Sequence, residues 1–177
     1  GKSVLMKLLL MQALRKGAEV YIADFKGGVD FPRAWRERCR MCFEETDLLD
    51  LMGSLVGELN RRKALFGARG WPDLDTYNEA TGEALPRLIF ACDEVAEVLD
   101  RTGVDSERKK LLGQIENRLS TIARLGRAFG IHLILATQRP DANIISGQIK
   151  NNMDFRVCGR ADSVLSQIIL DNTSAAE

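Results

Sequence analysis

The sequence has 177 residues, of which 45% are apolar, and its 25 basic residues balance its 25 acidic residues. This composition fits one compact domain with a substantial core, and the neutral charge excludes binding of nucleic acid through an overall basic surface. No apolar run is long enough to cross a membrane, and four cysteines with a single histidine are typical of a reducing compartment.

The apolar pattern then predicts alternating helices and strands along the chain. Helical spacing predicts helices at residues 4–17, 46–65, 106–129, 144–151 and 162–170. Short apolar runs predict strands at 18–23, 88–92, 131–137 and 155–158, with a loop at 67–84 and an exposed turn at 101–106. This alternation predicts an α/β fold in which helices flank a mostly parallel, doubly wound sheet.

The first three residues, Gly1-Lys2-Ser3, stand directly before the first predicted helix. They match the end of the pattern G-x-x-x-x-G-K-[ST], in which backbone N–H groups and the helix dipole bind phosphates. In that pattern Lys2 contacts the β- and γ-phosphates and the Ser3 hydroxyl binds Mg²⁺. The first glycine and the preceding strand are absent, so we expect the chain to be a fragment of a longer protein.

A second candidate site follows the predicted strand at residues 88–92, where Asp93 and Glu94 are adjacent. In parallel sheets covered by helices, ligands bind beyond the carboxyl ends of the strands, which is where these carboxylates fall. The alternative is structural, with Asp93 capping a helix and Glu94 in its first turn. The phosphate-binding pattern favours the functional interpretation, because one half of such a site holds phosphates and the other half holds metal and water.

Polar residues also follow the other predicted strands. Asp24 and Lys26 end the strand at 18–23, where contact with nucleotide, contact with a neighbouring subunit and a simple polar turn are all open. Gln138 follows the strand at 131–137 and is therefore expected at the same edge as Asp93.

Other conspicuous residues are interpreted structurally. His132 begins an apolar strand, where a structural role at the sheet edge is expected. Cys39 and Cys42 have metal-like spacing, but a structural zinc site needs a second pair of ligands. The run Arg61-Arg62-Lys63 is predicted to form the last turn of its helix, where it complements the dipole.

Several segments together resemble the motor domain of the FtsK/SpoIIIE family of hexameric DNA-pumping ATPases. The resemblance is carried by residues 1–3, 58–62, 77–79, 88–99, 128–140, 144–152 and 166–171, and Thr137-Gln138-Arg139-Pro140 is its most diagnostic part. It implies one motor domain over residues 1–177 with a RecA-like P-loop core. Such a core binds ATP and Mg²⁺ between subunits of a ring and converts hydrolysis into movement of double-stranded DNA.

The resemblance also implies roles for individual residues. Gly1, Lys2 and Ser3 contact the nucleotide, Ser3 and Asp93 hold Mg²⁺, Glu94 polarises the attacking water and Gln138 senses the γ-phosphate. A neighbouring subunit supplies an arginine, for which Arg124, Arg127 and Arg156 are candidates, although each also fits an ordinary surface position. Lys150 and Arg160 are candidate DNA contacts, with a solvated surface as the alternative.

The segment Asp24-Phe25-Lys26-Gly27-Gly28 differs from the Asp-Pro-Lys of chromosome-segregation members. It is similar to type VII secretion ATPases and to translocases of conjugative elements. Residues 136–140 and 168–171, however, are more similar to the members that move DNA. We therefore expect a DNA translocase of chromosomal or conjugative type, with a protein-secreting type VII ATPase as the alternative. Residues 1–177 alone are expected to bind nucleotide weakly or not at all. The longer protein is expected in the cytoplasm or tethered at the cytoplasmic face of a membrane.

Overall fold

The computed structural model describes residues 2–26, 28–29, 31–137, 146–147, 149, 155–161 and 164–170, with the backbone alone for 2–3, 155–161 and 164–170. The helices are α1 (Lys2–Arg15), α2 (Arg33–Arg38), α3 (Glu45–Gly67), α4 (Leu74–Thr81), α5 (Val95–Val98) and α6 (Ser106–Leu125), and a 3₁₀ helix spans Arg127–Phe129. The strands are β1 (Glu19–Ala23), β2 (Arg40–Cys42), β3 (Leu88–Asp93), β4 (Ile131–Thr137), β5 (Phe155–Ala161) and β6 (Val164–Leu170).

These strands form one six-stranded sheet in the order β2-β1-β3-β4-β6-β5. The four strands from β2 to β4 are parallel, and β6 pairs antiparallel with both β4 and β5. The predicted α/β fold with a mostly parallel sheet is therefore confirmed. The parallel part matters most for function, because it brings the carboxyl ends of β1, β3 and β4 to one edge.

Helices cover both faces of the parallel strands. Helix α1 packs on one face through a core that includes Val20, Ile22, Ile89, Ala91, Ile134 and Ala136. Helices α3 and α6 pack on the other face against Leu88, Phe90, Cys92, Leu133 and Leu135. Successive strand residues point to opposite faces, so strands buried on both sides are apolar throughout. This explains why continuous apolar runs predicted β3 and β4 correctly.

The predicted loop at residues 67–84 is wrong, because it contains helix α4. The Asp73 side chain caps the helix by accepting a hydrogen bond from the Thr76 backbone N–H at 2.8 Å. Gly82 ends it with φ of 71°. The Tyr77 ring stacks on Phe66 with centroids 4.8 Å apart, in a small cluster beside the main core. A helix of 8 residues offers too few apolar positions for its periodicity to be detected.

The predicted helix at residues 162–170 is also wrong. Residues Val164–Leu170 form strand β6, whose backbone pairs with β4 on one side and β5 on the other. Apolar residues at 164, 165, 168 and 169 fit a helical period, but pairing with strands distant in sequence decides the conformation. The predicted strand at 155–158 is confirmed and extends to Ala161. The predicted helix at 144–151 lies almost entirely outside the described residues.

The long helix predicted at 106–129 is interrupted at Gly126. Helix α6 ends at Leu125 and the 3₁₀ helix follows. A Cβ at residue 126 would collide with the carbonyl oxygens of Ile122 and Ile131, so the close turn requires glycine. Gly130, with φ of 76°, then ends the helical segment as predicted. Among the described residues, no helix combines the length and the hydropathy that crossing a membrane requires.

Candidate active site at the carboxyl edge of the sheet

Helix α1 brings the first residues of the chain to the carboxyl edge of the parallel strands. Its apolar face, including Leu10, packs on the sheet, and Gly17 turns the chain into the amino end of β1. The helix therefore runs opposite to the strands, and its 14 residues span about 20 Å, similar to the strand length. Its first turn, with Lys2 and Ser3, lies at the edge where β1 and β3 end. Gly1 is outside the described residues.

Asp93 and Glu94 lie at this same edge. Asp93 is the last residue of β3, and the two residues are 5% and 3% exposed. The capping alternative is wrong. Asp93 belongs to the strand, and Glu94 occupies the N-cap position of α5 without a capping hydrogen bond from its side chain. Its backbone is left-handed, with φ of 61° and ψ of 57°. Such a conformation costs a non-glycine residue about 1–2 kcal/mol, so the position is strained.

The carboxylate of Glu94 is held by Thr137, a residue to which the sequence patterns assigned no role of its own. Thr137 Oγ1 donates a hydrogen bond to Glu94 Oε1 at 2.8 Å, and both side chains are buried. The pairing of Asp93 with Ala136 brings the ends of β3 and β4 together and makes this contact possible. A hydroxyl directly after the apolar run at residues 133–136 was the signal available in the sequence.

A third buried carboxylate, Asp24, lies beside Asp93 at the end of β1. The pairing of Ala23 with Cys92 makes Asp24 and Asp93 neighbours across adjacent strands. Among the described residues, no group of three or more histidine, cysteine, aspartate or glutamate side chains could hold a metal alone. Mg²⁺ is usually held by one or two carboxylates together with substrate phosphates, so the carboxylates beside the first turn of α1 fit this ion.

None of the other predicted site residues has a described side chain at this edge. Gln138 and Lys150 lie outside the described residues, and Arg156 and Arg160 lie on β5, where only the backbone is described. Arg124 and Arg127 are exposed just before β4, at the amino edge of the sheet. The length of β4, about 20 Å, separates them from Glu94. They cannot reach the carboxylates of their own chain, so a catalytic role would require a neighbouring subunit.

The amino edge of the sheet is occupied by paired polar groups. Arg62 is 1% exposed, and α3 continues to Gly67, so the prediction that Arg61-Arg62-Lys63 forms the last turn of the helix is wrong. Its guanidinium donates to Glu58 Oε1 at 2.9 Å, to the Phe129 carbonyl at 2.8 Å and to the Pro86 carbonyl at 2.8 Å. The hydrogen bond from Arg61, and then that from Arg62, lowers the pKa of Glu58 to about 2. This cluster joins α3 to the residues that lead into β3 and β4.

Two further predictions concern His132, at the same edge, and the cysteine pair at β2. His132 is fully buried at the amino end of β4, and its Nε2 lies 2.8 Å from Arg87 Nη1. Arg87 also donates to both carboxylate oxygens of Asp75, at 3.0 and 3.1 Å. Cys39 and Cys42 are buried free thiols. Burial raises the pKa of both and brings that of Cys42 to about 11, so little reactive thiolate is present at neutral pH.

Comparisons with known proteins identify relatives of this chain. The DNA translocase FtsK of Helicobacter pylori strain J99 is 35% identical over 127 residues, which are 69% of this chain and 14% of that protein. The conjugation coupling protein TcpA of pCW3, solved as a monomer with ATPγS, is 44% identical and superimposes with a TM-score of 0.82. That match covers 86% of this chain and 43% of TcpA. No protein-family model matches the sequence.

The chain belongs to the FtsK/SpoIIIE family. The type VII secretion ATPase EccC of Thermomonospora curvata is a more distant neighbour, at 27% identity and a TM-score of 0.59 over 82% of this chain and 17% of that one. The predicted FtsK/SpoIIIE resemblance is thus confirmed, and similarity to the conjugation protein is greater than similarity to the secretion ATPase. The chain spans about one seventh of the length of the FtsK relative.

Proposed function

We propose that this chain is the nucleotide-hydrolysing core of a motor that translocates double-stranded DNA. One observation carries the proposal: Asp93 and Glu94 are buried at the edge of the sheet where helix α1 begins, and Thr137 holds Glu94 in place. Carboxylates are rarely buried in adjacent positions, because each loses its hydration, so a purely structural role does not account for the pair. ATP hydrolysis requires carboxylates at this position relative to a phosphate-binding helix.

Each residue then has a chemical role. The backbone N–H groups at the start of α1 and the ammonium of Lys2 bind phosphates, and Ser3 and Asp93 supply oxygen ligands for Mg²⁺. When bound, Mg²⁺ neutralises charge on the phosphates. Glu94 accepts a proton from the attacking water, and Thr137 orients the carboxylate that does so. We assign Gln138 to detection of the γ-phosphate because it directly follows Thr137.

The position of the exposed arginines supports assembly into a ring. Because Arg124 and Arg127 lie at the amino edge, either one could complete only the site of an adjacent subunit, and Arg156 remains a third candidate. Mixing catalytically dead subunits with Arg124→Ala or Arg127→Ala subunits tests this directly. Partial recovery of hydrolysis in the mixture, but in neither protein alone, identifies the arginine that acts between subunits. We propose a hexamer, located in the cytoplasm or tethered to the cytoplasmic face of a membrane.

Conjugative DNA is the favoured cargo, because TcpA is named as a conjugation coupling protein and is 44% identical. The proposal predicts that long duplex DNA stimulates steady-state ATP hydrolysis by the full-length protein. Salt should weaken the stimulation, because contacts with phosphates release counterions. Lys150→Ala or Arg160→Ala should reduce stimulation and flatten its salt dependence while leaving basal hydrolysis intact.

A different outcome would favour another cargo. ATP hydrolysis that is indifferent to DNA but rises with a secretion-signal peptide would overturn the DNA proposal. It would favour a type VII secretion ATPase, in agreement with the Phe25-Lys26-Gly27-Gly28 segment and the likeness to EccC. Absence of ATP hydrolysis under both conditions would overturn the motor function altogether.

A further inference from the structure

Asp24 is a buried acidic residue that has no role in the proposed reaction. It follows the last residue of β1, and its backbone N–H donates to the Cys42 carbonyl at 2.9 Å, which keeps it within the sheet. Only 2% of the residue is exposed. Aspartate is rarely buried to this extent unless its charge is matched.

The strand pattern indicates which face Asp24 occupies. Val20 and Ile22 belong to the core under α1, whereas Ala23 belongs to the opposite core. Because strand residues alternate, Asp24 falls on the α1 face. The same argument, from Ala91 under α1 and Cys92 opposite, puts Asp93 on that face.

Asp24 and Asp93 are therefore neighbours on adjacent strands, on the side covered by α1. Adjacent strands are about 4.8 Å apart, so the two carboxylates lie close enough to bind one ion. They lie at the edge where α1 begins with Lys2 and Ser3. Each buried carboxylate loses its hydration, and a cation bound by both would compensate for that loss.

One oxygen of Asp24 has a structural role and the other has none. Oδ1 accepts a hydrogen bond from the Lys26 backbone N–H at 3.0 Å, which stabilises the turn after β1. Oδ2 is buried and has no hydrogen-bond partner among the described residues. A buried oxygen of this kind costs free energy unless a ligand binds it, so the turn alone does not explain the carboxylate.

We propose that Asp24 acts with Asp93 to bind the divalent cation of the nucleotide site. The inference rests on the proposed function, since it concerns the cation that accompanies ATP. Hard divalent cations bind carboxylate oxygens, and Mg²⁺ commonly uses one or two of them together with phosphates. Asp24 is thus a second carboxylate for a site in which the sequence alone identified only Asp93 and Ser3.

Asp24→Asn is the informative variant. Asparagine keeps the shape of aspartate and its Oδ1 can still accept from the Lys26 N–H, so the turn is preserved while the charge is removed. Asp50→Asn is the matched control, because Asp50 is an exposed carboxylate on α3, which covers the face of the sheet opposite to α1. Mn²⁺ serves as the paramagnetic probe, and its binding to the full-length protein in the presence of ATPγS is measured by electron paramagnetic resonance.

We expect Asp24→Asn to weaken Mn²⁺ binding about 10–100-fold, as loss of carboxylates around metal sites commonly does, and Asp50→Asn to leave it unchanged. We also expect Asp24→Asn to raise the melting temperature in the absence of divalent cations, because it replaces a buried charge with a neutral amide. Unchanged Mn²⁺ affinity would overturn the inference. A lower melting temperature with unchanged affinity would identify Asp24 as a purely structural residue.

The same measurements separate this inference from the proposed function. Fluorescent ATP binding without divalent cations should be nearly equal in the wild type and in Asp24→Asn. If the protein lacks ATPase activity but Asp24→Asn still weakens Mn²⁺ binding, the cation site is supported and the motor function is refuted. If DNA-stimulated hydrolysis is present while Asp24→Asn retains full Mn²⁺ affinity, the motor function is supported and the role of Asp24 in cation binding is refuted.

Discussion

At the amino edge of the sheet, Arg62 is surrounded by acceptors, whereas at the carboxyl edge Asp24 buries an oxygen that has no hydrogen-bond partner among the described residues. Arg87 repeats the first arrangement, with contacts to His132 and to both oxygens of Asp75. Glu94 also lies at the carboxyl edge, where its carboxylate accepts a hydrogen bond from Thr137 and its backbone is strained. At the amino edge the buried polar groups are paired. At the carboxyl edge buried charges and a strained backbone lower the free energy of unfolding, and folding alone does not require them.

This difference separates two kinds of residue within one sheet. Buried polar groups that are fully paired fix the positions of the elements that they join. Buried charges and strained residues reduce stability, and they collect where a ligand binds. Substitutions at the amino edge should therefore affect stability first, and substitutions at the carboxyl edge should affect activity first.

The largest expected effect is on catalysis, from Glu94→Gln. Glutamine retains the size of glutamate and can still accept from Thr137, but it cannot take a proton from water. ATP hydrolysis by the full-length protein should fall about 10²–10⁴-fold while the free energy of unfolding stays constant or rises slightly. Steady-state kinetics and urea unfolding measure the two quantities. Glu97→Gln, an exposed change in the same short helix, is the control and should alter neither.

At the other edge, Arg62→Leu should lower the free energy of unfolding, which Glu94→Gln leaves nearly unchanged. Removal of the guanidinium leaves Glu58 and the carbonyl oxygens of Phe129 and Pro86 without their donor. Loss of one partner from a buried charged cluster costs about 3–5 kcal/mol, so the urea midpoint should fall sharply. Arg61→Leu removes an exposed arginine from the same carboxylate and should cost about 1 kcal/mol or less. Equal losses in the two variants would refute the structural role of Arg62.

Thr137→Val should have a smaller effect, confined to turnover. Valine fills the same volume but cannot donate to Glu94, and one hydrogen bond of this kind contributes about 1 kcal/mol. We expect kcat to fall several-fold to about 10-fold with KM unchanged, since nucleotide binding does not need the oriented carboxylate. Thr121→Val, on the surface of α6, is the control. An increase in KM with normal kcat would assign Thr137 to binding instead.

The smallest expected effect is the pH dependence that Glu58 contributes to stability. Its pKa in the folded protein, about 2, lies below the ordinary value of 4.5 because Arg61 and Arg62 bind the charged form. The stabilisation is therefore complete above about pH 4.5 and is lost as the pH falls towards 2. The stability difference between the wild type and Glu58→Gln, measured by urea unfolding, should shrink over that range. A difference that is constant from pH 7 to about pH 3 would contradict the assigned role.

Sequence reasoning was most successful where one local signal decided the structure. Long apolar periods predicted α1, α3 and α6, and continuous apolar runs predicted β3 and β4. It identified the edge that carries Asp93 and Glu94, because parallel strands necessarily align their carboxyl ends. Short elements such as α2 and β2, with 6 and 3 residues, were not predicted because so few positions carry no detectable period.

The remaining differences arise from contacts between residues distant in sequence. Arg62 belongs to a charged run, and its burial depends on two carbonyl oxygens that only the folded chain supplies. Strand β6 has a helical apolar period that its pairing with β4 overrides. Thr137 acquires its importance from Glu94, which lies 43 residues away along the chain. Sequence patterns contain the residue types of such contacts but not their geometry.

Because the backbone of Glu94 is left-handed, selection for stability alone would favour other residues at this position. Glycine or asparagine adopts that conformation more easily, so either substitution should relieve up to about 1–2 kcal/mol of strain. A library screened only for survival of heating should therefore become enriched in the substitutions Glu94→Gly and Glu94→Asn, whose products we expect to hydrolyse ATP much more slowly. Retention of glutamate here would be a record of selection for turnover acting against selection for stability.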